Sequence, residues 1–258
     1  MPKNRKAAQP VLVGAATPLY GLHAVRALLE RHPQRVRAVY LAEQRDDLRT
    51  QDIERLARAA GRPVHRIEAR ALRQRLGPAA HQGVLAEIDP LPPWNEDALL
   101  TALAMAPAPL VLALDGVQDP HNLGACLRTA DACGVLTVLV PRDRAAHLTP
   151  VARKVAAGAA ETIPVTVVTN LARTLQLLKQ AGLWVIGADA AAPMRADEAD
   201  LTGPRVLVLG AEGEGLRHLT RQHCDYRVRL PHLGAVESLN VSVAAGMLLY
   251  EAVRQRRV

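Results

Sequence analysis

Phenylalanine is absent from the 258 residues, and aromatic side chains of any kind make up only 2% of them. Any core must therefore be built from Leu, Val and Ala, a composition of the sort that a GC-rich coding bias produces. Cysteine is equally sparse. Cys126, Cys133 and Cys224 form an odd set with no CxxC pair, which argues against a disulfide framework and a zinc ribbon and leaves reduced, buried thiols as the expectation. No apolar run reaches the roughly 18 residues that a membrane-spanning helix needs. The opening MPKNRKAAQP lacks the apolar stretch of a secretory signal. A cytoplasmic protein with no membrane partner is expected, and no metal: His218, His223 and Cys224 match no standard zinc spacing.

Positive charge is plentiful, and it is unevenly spread. Residues 1–88 carry sixteen Lys and Arg against eight Asp and Glu, residues 89–108 carry no base and three acids, and residues 109–258 carry sixteen bases against fourteen acids. The excess sits in the first third, where a polyanion such as RNA or DNA is the expected partner. Residues 1–17, with Lys3, Arg5 and Lys6, read as a flexible basic arm, and 18–88 as a small α/β domain in which short helical and extended patterns alternate. DPLPPW opens a linker at 89–108 that includes a short helix, EDALLTALAM. In residues 109–258, LVLALDG, VLTVLV, TIPVTVV, LWVIGAD, RVLVLG and YRVRLP are apolar strands separated by helical runs, the pattern of a parallel sheet covered on both faces.

Ligands of such sheets bind beyond the carboxyl ends of the strands, which selects three loops: DGVQDPHNLG, GAEGEGL and PHLGAVESLN. The glycines at 210, 213 and 215 read GxxGxG, so neither the dinucleotide fingerprint nor a phosphate loop is present, and Glu212 and Glu214 would repel a pyrophosphate. The loop reads either as a glycine-dependent turn or as a cradle for a ligand rich in amide and ribose groups. Asn122 is placed to cap the helix that follows the first loop. Arg128, between Cys126, Leu127 and Ala130, needs an internal carboxylate or an anion in a cleft. Ser238 either caps the last helix or, with Asn240 and Ser242, turns polar groups toward a ligand at a strand's carboxyl end. That helix, SLNVSVAAGMLLYEAV, is apolar enough to be nearly all buried. No GxSxG elbow surrounds Ser238, so serine hydrolysis is not indicated.

Together, NLGACLRTADACG, LVLGAEGEGL and LPHLGAVESLNVSVAAG resemble the three ordered motifs of the SpoU/TrmH branch of the SPOUT RNA methyltransferases. YGLHAVRALL and HQGVLAEI resemble the N-terminal RNA-binding domain of RlmB-type 23S rRNA guanosine 2'-O-methyltransferases, so the resemblance spans essentially the whole chain. It implies an α/β fold: a C-terminal domain with a parallel sheet and a deep trefoil knot, behind a small N-terminal RNA-binding domain. It also implies S-adenosylmethionine as methyl donor and a homodimer with the site at or near the subunit interface. By the family pattern the donor rests against Leu209, Gly210, Gly213, Leu230, Pro231 and Leu239. Substrate and catalytic positions correspond to Asn122, Arg128, Glu212, Ser238 and Asn240.

The implied reaction is in-line attack of a ribose 2'-oxygen on the donor methyl group, with a guanosine of 23S rRNA as the implied target. S-adenosylmethionine carries no phosphate and bears a cationic sulfonium, which suits Glu212 and Glu214. Arginine stays protonated at neutral pH, so Arg128 is expected to clamp an RNA phosphate, and a phosphate oxygen or water to accept the proton. Ser238 and Asn240 would orient the ribose or the donor's carboxylate, and Glu212 would hold Arg128 or the loop. Alternatives are methylation of tRNA or another RNA by the same chemistry, a non-catalytic RNA-binding protein of this fold, and a nicotinamide-dependent oxidoreductase, against which the missing GxGxxG counts.

Overall fold

A computed structural model describes residues 16–76, 81–91, 93–235 and 238–256. The basic side chains Lys3, Arg5 and Lys6 of the expected arm lie outside them, and Thr17 already opens a strand. The chain divides between Pro90 and Leu91 into two compact units.

In the first unit, strands β1 (Thr17–Tyr20), β2 (Val36–Ala42), β3 (Val64–Ile67) and β4 (Val84–Ile88) form one sheet in the order β1-β4-β2-β3. Only β2 and β3 are parallel. Helices α1 (Leu22–Arg31) and α2 (Leu48–Ala59) cover one face, where Val25, Leu28, Ile53 and Ala57 meet Val36, Val39, Leu41, Val84 and Ile88. On the other face the eight-residue α3 (Ala69–Leu76) buries Leu72 against Ala42 and Leu85. That face is much less covered.

The second unit holds α4 (Glu96–Met105), β5 (Leu110–Asp115), α5 (Pro120–Ala132), β6 (Thr137–Pro141), α6 (Pro150–Val155), β7 (Val165–Val168), α7 (Leu171–Gln180), β8 (Trp184–Ala188), β9 (Met194–Arg195), β10 (Arg205–Gly210), α8 (His218–His223), β11 (Tyr226–Arg229) and α9 (Val241–Arg256). Its seven strands run parallel in the order β7-β6-β5-β10-β8-β11-β9. Apolar side chains alternate between two cores, as a strand's two-residue period requires. Leu110, Leu112, Leu114, Leu207 and Leu209 point to the side of α5, α6 and α9, whereas Val111, Ala113, Val206 and Val208 point to that of α4 and α7.

The stretch 91–108 is part of this unit. Asn95 caps α4 by accepting from Ala98 N (2.9 Å), Trp94 bridges to Thr166 of β7, and Thr174 donates to Glu96 (2.8 Å). Leu99 and Leu103 are buried against the strands. Cys126 is fully buried and its thiol is pushed up to about 12 by burial; burial, then Asp225, raises Cys224 to about 11. Neither is a thiolate near neutral pH. Among the described residues no helix is long and apolar enough to cross a membrane.

The close seating of α5 on α6 depends on Gly124. A Cβ there would lie 2.5 Å from the carbonyl oxygen of Ala152 and 2.7 Å from Val155 Cβ. Gly→Ala within a helix ordinarily stabilises by about 1 kcal/mol. At Gly124 we expect the opposite sign, a loss of about 1–3 kcal/mol from overpacking. Urea unfolding of Gly124→Ala checks this; a gain in stability would contradict the packing described.

Candidate active site

The three selected loops lie at the carboxyl ends of adjacent or near-adjacent strands β5, β10 and β11. Gly210 ends β10 opposite Asp115 of β5, and the loop after it folds straight back: Ala211 bridges Gly215, and a Cβ on Gly210 would sit 2.0 Å from the carbonyl carbon of Gly215. Gly213 and Gly215 have φ of +77° and +68°, a conformation that glycine adopts without strain. The reversal sends the side chain of Glu212 toward α5 and α9.

Glu212 is where the loops meet. Its Oε1 accepts hydrogen bonds from Asn240 Nδ2 (2.7 Å), the backbone N–H of Val241 (3.0 Å) and Asn122 Nδ2 (3.3 Å), and Asn240 Nδ2 also donates to Asn122 Oδ1 (3.0 Å). Asn122, Glu212 and Asn240 thus form one hydrogen-bonded group. Asn240 has a second task. Its Oδ1 accepts from Ser242 N (2.9 Å), Ser242 Oγ (2.6 Å) and Val243 N (3.4 Å), so it caps α9. Ser238 lies two residues ahead of this cap and does not serve as one. Asn122 is likewise not a cap: Asp119 caps α5 through His121 N (2.9 Å), and Pro120 occupies the first turn. A cap one turn earlier frees the Asn122 amide to reach Glu212.

Beside the group lie two adjoining cavities. The larger, about 360 Å³, is lined by Leu209, Gly210, Glu212, Gly213, Leu230, Ser238 and Leu239 from the motifs. Pro231, between Leu230 and His232, does not line it. The smaller, about 200 Å³, lies between Gly116–Asp119, Asn122 and Glu212. Both share Ala211, Glu212, Glu214 and Val241. The larger combines peptide edges, aliphatic walls (Val228, Leu230, Leu239) and carboxylates (Glu212, Glu214, Asp189), with Arg221 and His232 also lining it. Those groups fit a ligand with an apolar, heteroaromatic body, a positive centre and a carboxylate. They oppose a pyrophosphate.

A fourth loop contributes that the sequence reading passed over. Asp189, just beyond the end of β8, lines the larger cavity; its side chain is 8% exposed and pairs with Arg227 (2.7 Å) and Arg221 (3.6 Å). The signal was present, since LWVIGAD ends like the other strands in a loop at the sheet's carboxyl edge. Asp115 was also passed over: its buried side chain accepts from Arg217 N (2.8 Å) and pins the glycine loop's exit to β5.

Arg128 is not part of the group. It lies on the exposed side of α5 and lines neither cavity, and its side chain has no hydrogen bond or ion pair to a described residue. Of the two alternatives for Arg128, the internal carboxylate is not found among the described residues, because Cys126, Leu127 and Ala130 face the core while Arg128, at 100° per residue, turns outward. Nor is α9 nearly all buried: Val243, Met247 and Tyr250 form an exposed apolar stripe, 51%, 37% and 66% accessible. Among the described residues no group of three or more His, Cys, Asp or Glu is arranged to hold a metal ion.

Burial raises the pKa of Asp189, but the Ala191 N–H and the guanidiniums of Arg227 and Arg221 outweigh it, so the net value lies below the ordinary one. A depressed folded pKa stabilises the protein above the unfolded value, near 3.9, and that contribution is lost as pH falls through the folded value. Stability to urea should therefore decline below about pH 4, and Asp189→Asn should lower it at pH 7 while flattening that decline. An acid limb unchanged by the substitution would contradict the assignment.

A family model described as the SpoU rRNA Methylase family matches residues 109–250, and one described as RNA 2'-O ribose methyltransferase substrate binding matches residues 18–94. The chain is 54% identical to the 23S rRNA (guanosine-2'-O-)-methyltransferase RlmB of Pseudomonas putida, over 93% of this chain and 97% of that protein. It is 46% identical to the Escherichia coli K12 protein of the same description, over 92% and 98%. The solved structure of the SpoU methyltransferase AviRb from Streptomyces viridochromogenes, in complex with the cofactor AdoMet, shares the fold with a TM-score of 0.73 at 24% identity, covering 93% of this chain and 90% of that one. By the match across the whole of its strand-and-loop motif region, the chain belongs to the SpoU rRNA methylase family.

Proposed function

We propose that this protein transfers a methyl group from S-adenosylmethionine to the ribose 2'-hydroxyl of a guanosine in 23S rRNA. The observation that carries the reading is the Asn122–Glu212–Asn240 group set between a cavity suited to the donor and a smaller one suited to a nucleotide. The relatives' described activity supports the choice of RNA. An rRNA target also accords with a cytoplasmic location.

Within this reading the donor lies against Leu209, Gly210, Gly213, Leu230 and Leu239, with Pro231 shaping the loop behind. The knot that the resemblance implies would be formed by the loops around this pocket. When bound, the donor supplies an electrophilic methyl group on a sulfonium. The carboxylates of Glu212 and Glu214 favour that positive centre, while Arg221 or His232 receives the donor's carboxylate. Asn122, held in orientation by Glu212 and Asn240, directs its remaining amide N–H toward the ribose, and Ser238 supplies a further hydroxyl in the larger cavity. Alignment of the attacking oxygen is the main contribution.

Arg128 enters from a second copy of the chain. Its exposure, its absence from the cavities of its own chain and the exposed Val243–Met247–Tyr250 stripe on α9, which packs against α5, support a homodimer whose interface presents Arg128 to the partner's site. There its guanidinium clamps the RNA phosphate next to the reacting ribose, and a phosphate oxygen accepts the 2'-hydroxyl proton. Two parallel N–H donors define this role, which a single ammonium cannot reproduce.

With methyl-labelled S-adenosylmethionine and protein-free 23S rRNA, label is expected on the RNA ribose, at a guanosine 2'-oxygen. Arg128→Lys is expected to lower single-turnover methylation by about a hundredfold while leaving donor binding unchanged. Near-normal transfer by this variant would reject the clamp. Binding of RNA without any transfer by the wild-type chain would favour a non-catalytic RNA-binding role.

A further inference from the structure

The first unit carries an arrangement that nothing in the catalytic reading uses. Tyr40 on β2 and His65 on β3 are direct register partners on neighbouring parallel strands, and their rings stack with centroids 5.1 Å apart and planes 26° from parallel. The guanidinium of Arg75 lies over the Tyr40 ring, 4.5 Å from its centroid, and is itself held by Glu87 of β4 (3.1 Å). Strand order fixes which side each neighbour occupies. β4 and β3 flank β2 on opposite sides, so Arg75 approaches Tyr40 from the β4 side and His65 from the β3 side. The result is a three-layer stack, guanidinium on phenol on imidazole, across the sheet face that α3 partly covers.

β3 is the edge strand among the described residues, so none of their strands stands beyond His65, and His65 is exposed. The stack therefore ends in an open imidazole face at the sheet edge. In a chain with 2% aromatic residues, a ring stack on an open face is not needed for the core, which is filled by Leu, Val, Ile and Ala. Two residues after β3 ends, α3 begins and carries Arg70 and Arg73, one helical turn apart, both exposed and neither with an ionic partner among the described residues. Unpaired bases are bound by this combination of an exposed ring face and nearby arginines that neutralise phosphates.

We infer that His65, backed by Tyr40 and Arg75, is a stacking platform for an unpaired base of the RNA substrate, with Arg70 and Arg73 gripping the adjoining phosphates. This rests on RNA being the substrate. It makes the first unit a reader of a single-stranded feature, a loop or bulge, rather than a general polyanion surface, and it makes His65 a specificity-determining residue remote from the methyl-transfer chemistry.

The test uses the full chain and protein-free 23S rRNA, with methyl transfer and RNA binding measured side by side. His65→Ala is expected to raise KM for RNA about tenfold with kcat and donor affinity little changed, and His65→Trp to restore KM. The double variant Arg70→Gln/Arg73→Gln is expected to reduce the slope of log affinity against log salt by about two. Wild-type KM in His65→Ala would overturn the platform, as would equal loss in His65→Trp, because a ring of any kind should serve. If the wild-type chain bound RNA but transferred no methyl group, the proposed function would fall, and the binding comparison of the same variants would still decide the platform.

Discussion

One carboxylate oxygen, Oε1 of Glu212, joins the glycine loop after β10 to the helix after β5 and to the helix after β11. Each partner is a backbone or amide N–H that would otherwise compete for water, and hydrogen bonds to an ionised acceptor are the stronger kind. The rest follows from this convergence. Asn240 can cap α9 with its oxygen only while its amide is turned toward Glu212, so the start of the last helix and the orientation of the site are set together. Gly210 must lack a side chain for the loop to fold back far enough to place Glu212 there.

The charges divide the work between the two units. Residues 1–88 hold a twofold excess of bases over acids, whereas the two cavities beside Glu212 are lined by carboxylates. Carboxylates around the larger cavity disfavour phosphates there, and the excess bases of the first unit favour them. An acidic pocket that handles a polyanion needs a cation at its mouth, and within a single chain none of the motif residues supplies it. In the proposed dimer, the outward-facing Arg128 of the second copy fills that gap.

Much of this was legible in the amino-acid order. Strands such as RVLVLG and LVLALD are unbroken apolar runs because both faces of a parallel sheet are covered, and the rule that ligands lie beyond strand ends selected Gly210, Glu212 and Asn240 without coordinates. What escaped depends on neighbours remote in sequence. β1 contains Pro18, which reads against a strand unless the strand is known to lie at an edge, as it does. β9 is two residues long and has no pattern to read. The caps fell to Asp119 and Asn240 instead of Asn122 and Ser238, because the choice among several capping residues is made by the contacts of the alternatives. The apolar face of α9 was read as buried, since sequence periodicity does not distinguish a core face from an exposed apolar one.

The account's central claim is that a complete site joins the Glu212 group of one chain to Arg128 of another. Co-expression of Arg128→Ala and Glu212→Ala chains under two affinity tags, with purification of the mixed dimer, tests it directly. Each homodimer should be inactive. The mixed dimer should recover about half the wild-type methyl transfer, because one of its two sites regains both groups. A mixed dimer as inactive as its parents would mean that Arg128 and Glu212 act within the same chain, and the account would be wrong.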